Sequence, residues 1–218
     1  MRFEVKGNPS YGEVDVDLGP NEILLIEPGA MSRMSSNLNS SFQRQGGLFS
    51  AMFRKMFGGE NFFLGKYEHP DGGKLTFAPS TPGHVEHRQL TNNSLNLMAG
   101  CFLACTPGVN IKAKFGGLKA LFSGEGAFLL EASGNGDLFF NSFGGIVEKE
   151  INGDFIVDTG HVVAFEPSLN YKTSGMGNWK STMLSGEGLV MTFSGVGKIY
   201  LQTRTIDGIA SWLTPRLI

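Results

Sequence analysis

The feature that most constrains this chain is a phrase of about twenty residues that occurs three times. "ALFSGEGAFLLEASGNGDLFF" spans residues 120–140, and "TMLSGEGLVMTFSGVGKIYLQ" spans 182–202. A more divergent copy, "KMFGGENFFLGKYEHPDGGKLTF", spans 55–77. Self-similarity at a nearly constant spacing indicates repeated structural units that bury their apolar faces against one another. We therefore expect three similar units in one chain.

Three landmarks recur in the same order along the sequence. A pair of strand-like segments ends near a glycine at Gly29, Gly100 and Gly160. A Gly-Glu pair follows, with glutamates at Glu60, Glu125 and Glu187. A Gly-x-apolar strand start comes last, at Gly73, Gly136 and Gly197. This spacing predicts units at about 12–80, 81–142 and 143–203 within a single domain of residues 1–218, with a C-terminal helical tail at 204–218.

Hydrophobic periodicity within each unit indicates β-structure. In "GEVDVDL", Val14, Val16 and Leu18 alternate with acidic residues, which is typical of a half-buried strand. The segments "CFLACTP", "AFLLEASG" and "GHVVAFEP" are short apolar runs bounded by Gly or Pro, as in strands buried on both faces. Turn signals fall every 8–12 residues, a rhythm of sandwiches and barrels. We expect an all-β fold.

Closure of the three units is a further expectation. The third unit lacks the strand pair that would follow it, and the pair at the chain's start could supply it. The units would then form a pseudo-threefold ring or prism. The tail "TIDGIASWLTPR" predicts a short amphipathic helix with Ile206, Ile209 and Leu213 facing inward and Pro215 just after its end.

Charge and hydropathy argue against nucleic-acid binding and against a transmembrane helix. The net charge is −2 and the longest basic run is Arg54-Lys55, whereas nucleic-acid proteins need clustered Lys and Arg. No apolar run approaches the ~20 residues of a transmembrane helix. The start, "MRFEVKGNPSYG", resembles neither a signal nor a transit peptide. We expect a cytoplasmic protein that binds no nucleic acid.

The two cysteines, Cys101 and Cys105, stand four residues apart in "GCFLACTPG". On one strand, such residues lie about 13 Å apart, which is too far for a disulfide. We expect two buried thiols in a reducing compartment.

The best-marked polar positions are Glu60, Glu125 and Glu187 of the Gly-Glu pairs. In a pseudo-threefold body they could converge and bind a cation or another ligand. Alternatively, each could accept backbone N–H bonds at a tight turn. The flanking glycines favour the turn, since they suggest unusual φ values or close backbone approach. The first copy has Gly58 where the others have Ser, so the serine is dispensable there.

Evidence for catalysis is weak. His161 stands near Asp158, but no serine lies in a G-x-S-x-G context that would pair with it. His84 and His87 are three apart on a predicted strand and would face opposite sides, so they are poor metal co-ligands. No phosphate-binding, dinucleotide, zinc or EF-hand pattern is present. We expect no enzyme, cofactor or metal; an enzyme using Glu125, Glu187 or His161 remains the weakest alternative.

The segment "GGLFSAMFRKMFGGE" (46–60) carries an apolar helical stripe. Its candidate interface or lipid-binding residues are Phe49, Met52, Phe53 and Phe57. Such a stripe is usually core, and we predict that it is buried within the protein or its oligomer. An exposed stripe beside Arg54 and Lys55 would instead suit a membrane surface or a partner.

Four long motifs carry a family resemblance: "GGLKALFSGEGAFLL", "VDTGHVVAFEPSLNY", "LSGEGLVMTFSGVGKIYLQTR" and "LTFAPSTPGHVEHRQL". They resemble the altered-inheritance-of-mitochondria (Aim) family of conserved hypothetical proteins, over about residues 20–213. The resemblance implies an all-β, double-stranded β-helix fold like that of the tryptophan RNA-binding attenuation protein (TRAP-like). It transfers no catalytic residues and does not imply RNA or tryptophan binding. Eukaryotic members are linked to mitochondrial biogenesis; without a transit peptide, we expect this chain to be a prokaryotic member.

The first hypothesis for function is a non-enzymatic β-scaffold or binding protein that self-associates into a closed symmetric homo-oligomer. The alternative is a small-molecule or lipid-binding module that uses the stripe at 48–57.

Overall fold

The computed structural model describes residues 1–44, 63–114, 129–175 and 189–217, and these ranges are mostly strands. The strands are β1 (Arg2–Lys6), β2 (Glu13–Leu18), β3 (Ile23–Ile26), β4 (Met31–Met34), β5 (Asn39–Arg44), β6 (Phe63–Glu68), β7 (Gly73–Phe77), β8 (Val85–Met98), β9 (Phe102–Cys105), β10 (Val109–Lys114), β11 (Leu129–Asn141), β12 (Ile146–Asn152), β13 (Phe155–Asp158), β14 (Val162–Phe165), β15 (Asn170–Gly175), β16 (Leu189–Ser194) and β17 (Val196–Gln202). Three 3₁₀ turns, Ala99–Cys101, Thr159–His161 and Thr214–Arg216, and one helix, α1 (Ile206–Leu213), complete the elements. The expected all-β class is confirmed.

Local patterning predicted the buried strand faces correctly. In β2, Val14, Val16 and Leu18 are buried and alternate with half-buried acidic residues. All four residues of β9 and all four of β14 are buried, as expected for short apolar runs covered on both faces.

One antiparallel pairing scheme recurs along the chain. In the first third, β2 and β4 pair with β7, and β3 and β5 pair with β6. In the last third, β12 and β14 pair with β17, and β13 and β15 pair with β16. In the middle, the long β8 pairs with β11 along its length, and β9 and β10 also pair with β11. Thus β8 takes the positions that β2 and β3 occupy in the first third, and β11 takes those of β6 and β7.

The thirds are joined in series by two further antiparallel ladders. At the first junction β3 pairs with β9, and at the second β8 pairs with β14. Among the described strands no ladder joins the first third to the last. Instead of completing the third unit, the pair at the chain's start, β2 and β3, is laddered to β1, β7, β6 and β9.

The hydrophobic core is also arranged in series along the three thirds of the chain. A cluster around Phe77 extends to Phe139 of β11, and a central cluster runs from Leu25 of β3 to Val163 of β14. A third cluster contains Phe193 of β16. Each junction therefore carries shared apolar packing as well as strand pairing.

The C-terminal helix forms as predicted, with Thr205 as its N-cap accepting a hydrogen bond from the Gly208 N–H at 3.0 Å. The expected inward packing is wrong for this chain. Ile206, Ile209 and Leu213 are 54%, 48% and 39% exposed, and no residue of α1 is buried. The amphipathic pattern is real, but α1 follows the last strand and no described element buries its apolar face.

Candidate functional site

The three Gly-Glu glutamates, Glu60, Glu125 and Glu187, lie outside the described residues. Their segments each connect the two strands of an antiparallel hairpin: β5 to β6, β10 to β11 and β15 to β16. The last described pairs before the gaps are Arg44↔Phe63, Lys114↔Leu129 and Gly175↔Leu189. The choice between a structural turn and a ligand site stays a prediction. The stripe residues Phe49, Met52, Phe53 and Phe57 also lie outside the described ranges.

His161 lies at the end of the 3₁₀ turn between β13 and β14, and it is held by backbone. Its Nδ1 lies 2.7 Å from the Gln202 carbonyl oxygen, so the ring donates there. The Gln202 side chain in turn donates to the Gly160 carbonyl at 2.7 Å. Asp158 caps the turn by accepting the Gly160 N–H at 2.8 Å rather than orienting His161. Hydrogen bonds therefore hold this turn in place. His161 and Asp158 do not form the His–Asp hydrogen bond that a catalytic triad uses.

The two cysteines are free and buried, as expected. Cys101 ends a 3₁₀ turn rather than lying on a strand with Cys105, because Ala99 and Gly100 interrupt the run. Burial raises the pKa of both thiols to about 12, and the Glu27 carboxylate adds to the effect at Cys101. Such thiols are poor nucleophiles, since the thiolate is the reactive form.

His84 and His87 do not share a site. The His84 Nε2 lies 3.2 Å from a Glu86 carboxylate oxygen, whereas the His87 Nε2 lies 2.9 Å from Asp137. In the described ranges, no three His, Cys, Asp or Glu side chains converge in a way that could hold a metal ion. The same part of the chain contains no helix long and apolar enough to cross a membrane.

A cleft of about 640 Å³ lies over the outer face of β1, β2, β7 and β4. Its lining is charged, but the charges pair with one another. Arg33 donates to Glu13 at 2.9 Å and to Asp15 at 3.0 Å, and Lys6 donates to Asp15 at 2.8 Å. Hydrogen bonds from Lys6, and then from Thr76, lower the pKa of Asp15 to about 2. This network links Lys6, Asp15 and Arg33 across a solvated sheet face.

Two edge strands stand out from their counterparts. Strand β4 occupies the place in the pairing scheme that β9 and β14 occupy later, since each pairs with the last strand of its third. Each of these ladders also contains a register shift at the corresponding point. Yet all four residues of β4 are exposed, whereas every residue of β9 and β14 is buried. The difference arises because β9 and β14 each have a second neighbour, β3 or β8.

Strand β13 shows the same contrast. Counted back from the landmark glycines, Ile156 corresponds to Leu25 of β3 and Asn96 of β8. Leu25 and Asn96 lie at the two junctions and are 0% and 5% exposed, but Ile156 is 64% exposed. Strand β13 pairs only with β16 among the described strands.

Protection against edge pairing is weak in β13. Natural edge strands are commonly blunted by charged residues or proline. The edge strands β1, β5, β10, β12 and β15 all carry Lys or Arg. In β13 the run Phe155–Val157 is uncharged, and the one charge, Asp158, is occupied in capping the following turn. Among the described edge strands named here, β13 is therefore the one best suited to accept another strand.

Sequence reasoning missed these two edges, although a signal for one was present. The apolar runs "FLAC" and "VVAF" correspond to "MSRM" in the first unit, where Ser32 and Arg33 replace buried residues. A polar copy of an otherwise apolar strand indicates a strand without a covering neighbour in the same chain.

Comparison with known proteins places the whole chain in one group. A family profile described as "Mitochondrial biogenesis AIM24" matches residues 3–204. An uncharacterised protein of Streptococcus pyogenes serotype M6 is 31% identical over 222 residues, covering 98% of this chain and 90% of that protein. A crystal structure of a Streptococcus pyogenes protein, solved by a structural genomics consortium, superposes with a TM-score of 0.82 at 29% identity. That match covers 99% of both chains.

Proposed function

The chain belongs to the Mitochondrial biogenesis AIM24 family, and from this premise we propose that it is a non-enzymatic β-scaffold that self-associates. The carrying observation is that the recurring pairing scheme leaves two open ends, β4 and β13, whose counterparts inside the chain are buried. Unpaired backbone N–H and C=O groups on an edge are a template for another strand.

The pairing scheme also supports three tandem β-units of the double-stranded β-helix (TRAP-like) type. We place the units at the predicted boundaries, 12–80, 81–142 and 143–203. The two ladders that join them in series favour an open row of units over a prism closed within one chain. In this proposal, the symmetric body is completed by further copies rather than by the chain's own first strands.

A role without catalysis is supported by the state of the ionisable groups in the described ranges. The cysteine pKa values are raised by burial, and His161 is held by a backbone carbonyl. The charged cleft residues neutralise one another. We propose that the chain needs no cofactor and works as a prokaryotic, cytoplasmic protein, consistent with buried free thiols and with relatives from Streptococcus.

The mass in solution tests this proposal. Light scattering coupled to size exclusion, repeated across the micromolar range, should give a multiple of the 23.5 kDa chain mass. A single species of 23.5 kDa at every concentration would contradict self-association.

A membrane-surface role is a second candidate, and among the described residues it is α1 that favours it; the stripe at 48–57 stays a prediction. Trp212 is 60% exposed on the same helix as Ile206 and Ile209, and the Arg216 guanidinium lies 4.4 Å from the Trp212 ring centre. Apolar residues with Trp beside Arg suit a helix lying in a lipid interface.

Flotation with anionic vesicles separates the two candidates. Loss of flotation in Trp212→Ser, with the oligomer intact, would favour lipid binding. The matched control is Tyr11→Ser, because Tyr11 is an exposed aromatic residue far from α1 in sequence. Absence of flotation by the unmodified chain would remove this candidate.

A further inference from the structure

The two junctions inside the chain share one register. At the first, Leu25 lies opposite Cys105 and Ile26 lies opposite Ala104. At the second, Asn96 lies opposite Phe165. Leu97 there lies opposite Ala164. Both junctions follow one rule. The residue four positions before the landmark glycine of one unit lies opposite the residue five positions after the landmark glycine of the next unit.

The same count identifies the unmatched positions at the two ends. Four residues before Gly160 is Ile156 in β13, and five residues after Gly29 is Met34 in β4. Ile156 is 64% exposed and Met34 is 38% exposed. Their counterparts are at most 5% exposed: Leu25, Asn96, Cys105 and Phe165. Both halves of a third junction are therefore present, and neither is covered.

We propose that β13 of one copy pairs antiparallel with β4 of a second copy, placing Ile156 opposite Met34 and Val157 opposite Arg33. The inference rests on the self-association proposed above and specifies its surface. Each copy presents one β13 and one β4, so the contact is head-to-tail. A head-to-tail contact builds a ring when its rotation closes and a filament when it does not.

Arg33 is compatible with this junction although its counterparts are alanines. Its guanidinium lies back over its own sheet, donating to both Glu13 carboxylate oxygens at 2.9 Å. The charge is therefore balanced within the copy that carries it. An incoming β13, uncharged over Phe155–Val157, meets no unpaired charge at this position.

Apolar contact adds to the backbone ladder. Ile156 and Met34 would cover each other as Leu25 and Cys105 do at the first junction. Directly opposed residues of an antiparallel pair have Cβ atoms roughly 4.5–5.5 Å apart, so their side chains touch. The second copy is favoured over this chain's own β4 because no described ladder brings β4 and β13 of one chain together.

Cysteine cross-linking tests both the partner and the register. A Met34→Cys variant is mixed with an Ile156→Cys variant and oxidised, so that the two new cysteines can meet only between copies. We expect a disulfide-linked dimer on a non-reducing gel. The control mixture pairs Met34→Cys with Val147→Cys, an exposed position on β12 that should not cross-link.

Three results would overturn the inference. Oligomers by light scattering without a cross-link in the Met34/Ile156 mixture would remove this junction while leaving self-association standing. A variant that carries both Met34→Cys and Ile156→Cys, and that forms only an intramolecular disulfide, would show that the junction closes within one chain. A strict monomer would instead remove the proposed function, and this inference with it.

A charge substitution provides a test that needs no oxidation. Ile156→Lys should weaken self-association by about tenfold or more, because a charge on an edge strand opposes pairing. Its melting temperature at concentrations where the chain is monomeric should be unchanged, since Ile156 is exposed in the single chain. Val147→Lys is the matched control, and equal loss in both variants would overturn the assignment.

Discussion

Asp15 lies directly opposite Thr76 in the ladder of β2 and β7, and its carboxylate accepts a hydrogen bond from the Thr76 hydroxyl at 2.5 Å. The same carboxylate accepts from Lys6 at 2.8 Å and from Arg33 at 3.0 Å. The sequence pattern placed Asp15 on the polar face of β2. The structure adds that this face is a connected network of opposite charges.

The first prediction concerns acid stability through Asp15. The Lys6 hydrogen bond, followed by that of Thr76, lowers the pKa of Asp15 from 3.8 to about 2. A lowered carboxyl pKa stabilises the fold above the unfolded pKa, and this contribution is lost as pH falls from about 4 to about 2. We expect Asp15→Asn to melt below the unmodified chain at pH 7, with the difference vanishing near pH 2.

Circular dichroism melts at several pH values measure this effect. Asp17→Asn is the matched control, because its ion pairs with Arg2 and Lys74 are longer, at 3.9 and 3.4 Å. A deficit in Asp15→Asn that stays constant down to pH 2 would contradict the electrostatic explanation.

The second prediction concerns Glu27, two residues before the landmark glycine Gly29. Its effect on stability changes with pH in the opposite direction from that of Asp15. Burial raises the pKa of Glu27 from 4.5 to about 7. Between these values the folded chain binds more protons than the unfolded chain, so stability falls as pH rises. We expect Glu27→Gln to equal the unmodified chain at pH 4 and to exceed it at pH 8 by at most about 3 kcal/mol.

Urea unfolding at the two pH values gives this free-energy difference. Glu150→Gln is the control, since the Glu150 side chain is 82% exposed on β12. If Glu27→Gln has the same stability advantage at pH 4 as at pH 8, packing rather than ionisation is responsible.

The third prediction concerns the aromatic group around Phe139, which is fully buried in β11. Its ring centre lies 5.0 Å from those of Phe3 and His87 and 5.4 Å from that of Phe77. Truncation leaves a cavity between strands of the first and second thirds, so Phe139→Ala should lower the free energy of unfolding by about 3–5 kcal/mol. The control, Phe42→Ala, removes a ring that is 76% exposed and should change it by about 0.5 kcal/mol or less. Equal effects in chemical unfolding would contradict this account of the core.

Local features of the fold could be predicted because they depend on neighbouring residues in the sequence. The alternation in β2 required only a period of two, and α1 required only a cap at Thr205 and a helical pattern. The Gly100 region shows the limit of this reasoning. The sequence pattern placed Cys101 and Cys105 on one strand, whereas Cys101 lies in the 3₁₀ turn before that strand.

Burial of a whole strand could not be predicted in the same way, because it depends on what lies beside that strand. β4 and β14 hold the same place in the pairing scheme, but β14 lies beside β8 and β4 has one described neighbour. Likewise, the apolar face of α1 was evident from the pattern, whereas the absence of a cover over Ile206 and Ile209 was not. The sequence repeat indicates equivalent units but does not specify which junctions one chain can complete.

The last prediction is that both native thiols are unreactive toward alkylating reagents in the folded chain. Burial raises the pKa of Cys101 and of Cys105 to about 12, so at neutral pH almost no thiolate forms. The Cys105 thiol also lies 4.0 Å from the Val109 carbonyl oxygen inside the core.

We therefore expect iodoacetamide to modify neither residue in native buffer, and both above the urea midpoint, as read by mass spectrometry. The exposed cysteine of Val147→Cys provides the positive control, because it lies outside the proposed junction and should label promptly under native conditions. Rapid native labelling of Cys101 or Cys105 would show that the core opens locally. It would also require both to be replaced by serine or alanine before the cross-linking of Met34 to Ile156 could be interpreted.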